Sequence, residues 1–233
     1  MYFDELDLND NVLDALYDMR FDTCTPVQEK CIPEILKGND VMGVAQTGTG
    51  KTAAYLLPVL SKLDDGGYPS DAINCVIMSP TRELAQQIDQ AMQGFGYYLQ
   101  GVSSVAVYGG NDGNRYDQEL KSLRMGADVV IATPGRLISH ISLGNVDLSK
   151  VSFFILDEAD RMLGGYQDNR RQIAKNLPDH YVLCHNAREN RRTGKDSAQE
   201  SCRDQTRSKQ TCREDTAESL RMLRDTEDGH HQG

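Results

Sequence analysis

Between residues 8 and 19 the apolar side chains Leu8, Val12, Leu13, Leu16 and Met19 recur at helical spacing, which predicts an amphipathic helix. A second helix is predicted to begin at Thr25, with Pro26 in its first turn and Gly38 just past its end. Downstream the pattern alternates. Apolar runs at 40–44, 73–79, 102–108, 128–133 and 151–156 are rich in Val and Ile and lack the polar alternation of half-exposed strands. They predict buried strands, separated by helical stretches at 51–62, 82–99, 116–125 and 135–141. Such alternation predicts an α/β fold with a mostly parallel sheet covered on both faces, and ligands at the carboxyl ends of the strands.

The pattern changes near His185. From there to Gly233 apolar residues thin out, charged residues crowd in with both signs balanced, and no run resembles a strand. This composition cannot bury enough surface to offset the entropy of ordering, so it predicts a disordered hydrophilic tail over 185–233. A short helix at 217–224 is the one exception expected. The 233 residues suit one main α/β domain. No apolar run is long enough to span a membrane, and the acidic start Met1-Tyr2-Phe3-Asp4-Glu5 carries no targeting signal. Six cysteines at 24, 31, 75, 184, 202 and 212 show no metal-ligand spacing and read as reduced thiols of a cytoplasmic protein. The net charge of -10 has the wrong sign for bulk attraction to nucleic acid. A nucleic acid partner must then be held by local donors.

Residues 45–52, Ala45-Gln46-Thr47-Gly48-Thr49-Gly50-Lys51-Thr52, follow a strand and open a helix. Gly48 and Gly50 let backbone N–H groups curl around a phosphate. Lys51 reaches the outer phosphates, the Thr52 hydroxyl suits Mg²⁺, and the helix adds its positive end. The usual pattern has Gly where Ala45 stands. A second signal closes the strand at 151–156: Asp157-Glu158-Ala159-Asp160. An acid at the tip of a buried strand needs a cation, and Asp157 suits a Mg²⁺ held beside a phosphate loop. Glu158 is placed to orient or deprotonate an attacking water. Asp160 is expected to bond to neighbouring protein groups.

These two motifs, in this order, resemble the DEAD-box family of ATP-dependent RNA helicases, and Ala45 is what that family has in place of the first loop Gly. Residues 21–28 resemble its Q motif, which implies that Gln28 reads the adenine edge of ATP and Phe21 stacks on the base. Phe3 matches the isolated aromatic upstream. Arg20 stands where the family has Gly, and Cys24 where it has Pro. Pro80-Thr81-Arg82-Glu83-Leu84-Ala85 resembles motif Ia, Gly109-Gly110 the GG motif, and Thr133-Pro134-Gly135-Arg136 motif Ib. The resemblance implies that these grip single-stranded or duplex RNA by its backbone. The hydroxyls, arginines and helix starts suit that chemistry. The resemblance covers roughly residues 1–180 and implies a RecA-like P-loop domain at 30–184 preceded by a Q-motif segment at 1–29, using ATP and Mg²⁺.

Beyond Leu163 the likeness weakens. Gly164-Gly165-Tyr166 is a shortened turn, the strand expected next falters at 181–184, and His185-Asn186-Ala187 stands where the family has Ser-Ala-Thr. A frameshifted or unrelated tail after about Cys184 accounts for this, with a natural hydrophilic tail as the rival. The second RecA-like domain, with its arginine fingers, is not encoded in these residues. The expected activity is therefore ATP and RNA binding with little hydrolysis or unwinding. The alternatives are a non-catalytic fragment working with a second RecA-like domain in trans, or a different P-loop ATPase of transporter or AAA type.

Overall fold

The computed structural model describes residues 1–46, 48–109, 113–163 and 181–186. A short 3-10 turn at Phe3–Glu5 leads to helix α1, Asp10–Asp18. The side chain of Asn9 caps α1 by accepting from the Asn11 N–H, and its apolar stripe buries Val12, Ala15 and Leu16. There follow α2 (Pro26–Leu36), β1 (Val41–Ala45), α3 (Lys51–Asp65), β2 (Cys75–Met78), α4 (Arg82–Phe95) and β3 (Ser104–Val107). Then come α5 (Gly113–Arg124), β4 (Val129–Ala132), α6 (Pro134–Ser142), β5 (Phe153–Leu156), α7 (Ala159–Leu163) and β6 (Tyr181–Asn186).

The strands form one six-stranded sheet in the order β1-β6-β5-β2-β4-β3. All neighbours pair in parallel. Alternate residues of each strand point to opposite faces, and each face has its own core. On one face Cys75, Ile77, Val129, Ile131 and Ile155 pack with α1 to α4. On the other Val76, Met78, Val105, Val107, Val130 and Phe154 pack with Leu123, Leu137 and Met162 of α5, α6 and α7. Burial on both faces is why β2 and β4 read as continuous apolar runs; the edge strand β3 instead buries only Val105 and Val107, and Met42 of the edge strand β1 is exposed.

The five strands expected from the pattern are present: β2 to β5 are two or three residues shorter than expected, and β1 is shifted by one, to Val41–Ala45. The helix expected at 82–99 stops at Phe95, where the Gly96 N–H caps the Met92 carbonyl. The strand expected to falter at 181–184 instead runs six residues, to Asn186. It is paired on both sides: Val41 to Ala45 match Val182 to Asn186, and Phe154 to Leu156 match Tyr181 to Leu183. Backbone pairing on two flanks holds a strand that its side-chain pattern advertises weakly. It extends two residues past the boundary expected at Cys184. The turn at 164–166 and residues 187–233 lie outside the described residues.

Candidate active site

The glycine-rich loop leaves the carboxyl end of β1 and opens α3. Gly48 and Gly50 have φ of 83° and 82°, a region that favours glycine. Gly50 also has no room for a side chain, since a Cβ there would lie 2.4 Å from Gln28 Nε2. The buried Lys51 turns its ammonium back along the loop, donating to the carbonyls of Ala45 at 2.7 Å and Gln46 at 3.3 Å. Thr49 Oγ1 also donates to the Gln46 carbonyl, at 2.7 Å. The loop carbonyls thus point inward to the lysine. Thr52 is the second residue of α3, next to Lys51. Thr47, expected to bind the phosphates, lies outside the described residues.

Asp157 follows β5, and its N–H bonds to the Met78 carbonyl at the end of β2. Its carboxylate is 3% exposed. Oδ1 accepts from the Glu158 N–H at 2.9 Å and Oδ2 from the Tyr55 hydroxyl at 3.0 Å. Burial pushes the Asp157 pKa above the ordinary carboxylate value, against the pull of those two donors and the Lys51 charge. Glu158 adopts a φ of 51°, a strained value for a residue with a side chain. Its Oε2 accepts from Arg161 Nη1 at 2.6 Å, and its carbonyl starts α7. Asp160 lies in α7, and the role expected of it rests on a side chain outside the described set.

Among the described residues no group of three His, Cys, Asp or Glu side chains could hold a metal. The donors here are one buried carboxylate and the Thr52 hydroxyl. Few, hard oxygen donors suit Mg²⁺, which fills its shell from phosphate and water. A carboxylate kept in an apolar strand tip with Lys51 acting on it fits that ion.

Gln28 ties the second helix to this loop. It is 2% exposed; its Oε1 accepts from the Thr25 N–H at 2.8 Å and its Nε2 donates to the Gly50 carbonyl at 3.0 Å. Phe21 is 41% exposed and meets Phe95 edge-on, the ring centroids 5.9 Å apart. Phe3 is buried in the core on the α1 to α4 face.

The remaining motif residues sit on the other half of the sheet, after β2, β3 and β4. Pro80 follows β2, and Thr81 caps α4, its Oγ1 accepting from the Leu84 N–H at 3.3 Å. Arg82 is exposed, its guanidinium 5.8 Å from the centre of the Tyr108 ring. Gly109 follows β3 with open space around it; Gly110 lies outside the described residues. Thr133 and Pro134 begin α6, and Gly135 is exposed. Arg136 is held within the protein: Nε donates to Glu119 Oε2 at 2.8 Å, and the guanidinium lies 4.6 Å from the centre of the Tyr116 ring. His140 Nε2 lies 3.4 Å from the same Glu119 oxygen, and its ring stacks on Tyr116. Burial of Glu119 raises its pKa, but hydrogen bonds and charge from His140 and Arg136 outweigh this and hold it below the ordinary value.

The pattern of motifs did not reveal Tyr55 or Glu119. Tyr55 lies four residues after Lys51, one helical turn on, which is a signal for a shared face. Glu119 interrupts a stripe made by Tyr116 and Leu123 at i-3 and i+4, and an acid in such a stripe implies a buried partner.

A parallel sheet with a phosphate-type loop after one strand and an acid after another, all at one edge, defines a RecA-like α/β domain. The sequence model of the DEAD/DEAH box helicase family matches residues 25–194. The chain belongs to that family. It is 45% identical over 181 residues to the ATP-dependent RNA helicase DeaD of Haemophilus influenzae, covering 77% of this chain and 28% of that protein. It is 41% identical over 179 residues to DeaD of Mycobacterium tuberculosis, covering 76% of this chain and 31% of that one. A crystal structure of a DEAD box protein from the hyperthermophile Methanococcus jannaschii superposes with a TM-score of 0.68 at 34% identity, covering 82% of this chain and 51% of that one. The chain therefore spans under a third of the length of the curated relatives described here. Among the described residues no helix is long and apolar enough to cross a membrane.

Proposed function

We propose that this chain is the ATP-binding half of a DEAD-box RNA helicase, acting in the cytoplasm, that binds ATP with Mg²⁺ and the backbone of single-stranded or duplex RNA. The strand order carries this reading. The loop after β1 and the acid after β5 are separated only by β6, while the three expected RNA motifs end the adjacent strands β2, β4 and β3. One edge of the sheet thus offers two contiguous surfaces, one for each ligand. The side chains and backbone groups at each surface suit its ligand, and the relatives named above are called ATP-dependent RNA helicases.

In this reading the N–H groups around Gly48 and Gly50 bind the phosphates, and Lys51 turns from the Ala45 and Gln46 carbonyls to the outer phosphate oxygens. Thr52 and Asp157 are the residues that hold Mg²⁺, which when bound neutralises charge building on those oxygens. Glu158 orients the water and receives its proton. Gln28 keeps one N–H and one acceptor site for the adenine edge, with Phe21 against the base. On the second surface Thr81, Arg82, Gly109 and the start of α6 meet the RNA backbone, and the terminal N–H groups of Arg136 remain beyond its bond to Glu119. Hydrolysis and unwinding require a second RecA-like domain, supplied by further chain or in trans.

The test is an ATP titration of the purified chain, with and without single-stranded RNA. Saturable, Mg²⁺-dependent ATP binding lost in Lys51→Ala is expected, with turnover well below about 1 s⁻¹. No ATP binding by the wild-type chain, or binding indifferent to Lys51→Ala, contradicts the reading.

A further inference from the structure

The nucleotide reading gives no role to the hydroxyl of Tyr55. The ring lies in the apolar core between α1 to α4 and the sheet and is fully buried. A phenylalanine would fill the same space without bringing a polar group that has to be satisfied. The hydroxyl is satisfied by Asp157 Oδ2 at 3.0 Å, a partner 102 residues away in sequence. Tyr55 stands one turn along α3 from Lys51 and Thr52, so this bond links the helix of the phosphate loop to the acid that ends β5.

The geometry at the carboxylate is specific. The Glu158 N–H holds Oδ1 at 2.9 Å while Tyr55 holds Oδ2. A carboxylate offers about four acceptor positions. Two donors on different oxygens fix its plane and leave an open acceptor position on each oxygen for a cation. With only the Glu158 N–H in place, the group would be free to swing about that single bond. Groups that orient a metal ligand in this way tune metal affinity without touching the ion.

We propose that Tyr55 is a positioning residue for the metal-binding carboxylate, its hydroxyl setting the orientation in which Asp157 meets a nucleotide-bound Mg²⁺. The inference rests on the nucleotide reading given above and deepens it.

The experiment titrates the full chain with a fluorescent ATP analogue, in EDTA and across a series of MgCl₂ concentrations, for wild type and Tyr55→Phe. The Mg²⁺ concentration giving half of the affinity gain should rise about tenfold in Tyr55→Phe, while affinity in EDTA stays within about twofold. In an Asp157→Asn background, Tyr55→Phe should produce no further change. Equal losses in EDTA and in Mg²⁺ mark a packing role and overturn the proposal, as does an unchanged Mg²⁺ dependence or an undiminished effect without Asp157. A wild-type chain with no Mg²⁺-dependent binding removes the nucleotide reading itself, and this inference with it. A normal wild type beside a silent Tyr55→Phe removes the inference alone.

Discussion

Arg20 sits at φ 59°, just past α1. The Arg20 N–H bonds to the Tyr17 carbonyl and the Phe21 N–H to the Leu16 carbonyl, at 3.0 and 2.9 Å. This is the double bond pattern that ends helices with a left-handed residue. The same pattern closes α2 at Gly38 and α6 at Gly144, with φ of 77° and 67°, so two of these three ends use glycine and one uses arginine. The left-handed region costs a side-chain-bearing residue about 1–2 kcal/mol, partly offset by the greater chain entropy glycine loses on folding. Arg20→Gly is therefore expected to stabilise the chain by about 0.5–1 kcal/mol, read as a higher urea midpoint at unchanged slope. A lower midpoint would mean that the Arg20 side chain makes a contact worth more than the strain. The position also bears on the site, because the next residue is Phe21, and the turn at Arg20 aims the chain that carries it.

Between α5 and α6 the pairing of Glu119 with Arg136 and His140 links two helices through one buried carboxylate, 3% exposed beside a fully buried His140. A carboxylate whose pKa falls on folding stabilises the fold where it is ionised in both states. That stabilisation disappears as pH drops through the folded value. Glu119→Gln should cost about 1–3 kcal/mol near pH 7, and the gap to wild type should close below the ordinary carboxylate range, as followed by denaturation at a series of pH values. A gap that does not change with pH would assign the loss to shape alone. The elements themselves were largely legible in the sequence. Strands β1 to β5 announce themselves by their apolar runs, which are unbroken where burial on both faces demands it, as in Cys75-Val76-Ile77-Met78. Strand β6 does not, since Tyr181-Val182-Leu183-Cys184 runs straight into His185 and Asn186, and its stability comes from neighbours on either side. The loop and the Asp157 corner were legible because their chemistry is local. The partners of Asp157 and Arg136 were not, because Tyr55 and Glu119 reach them across 102 and 17 residues of chain. Such contacts exist only once the sheet order is known.

At the scale of the molecule, that order makes β6 the element on which the site depends. β1 lies at one edge of the sheet, and among the described strands β6 is its sheet neighbour. Removing β6 would leave a gap between the strand of the phosphate loop and the strand of Asp157. A chain ending before Tyr181 is expected to lose both its cooperative unfolding transition and ATP binding, while one ending after residue 194, where the family match stops, keeps both. Circular dichroism melts and an ATP titration of the two chains check this. A short chain that still binds ATP would show that β1 is held by α2 and α3 alone. The same placement has a consequence in time. Val41 pairs with Val182, about 140 residues later in synthesis, so at about 5–20 residues per second the loop strand is made roughly seven to thirty seconds before its sheet partner. Nucleotide capture by a growing chain would then report the moment at which β6 slides between β1 and β5.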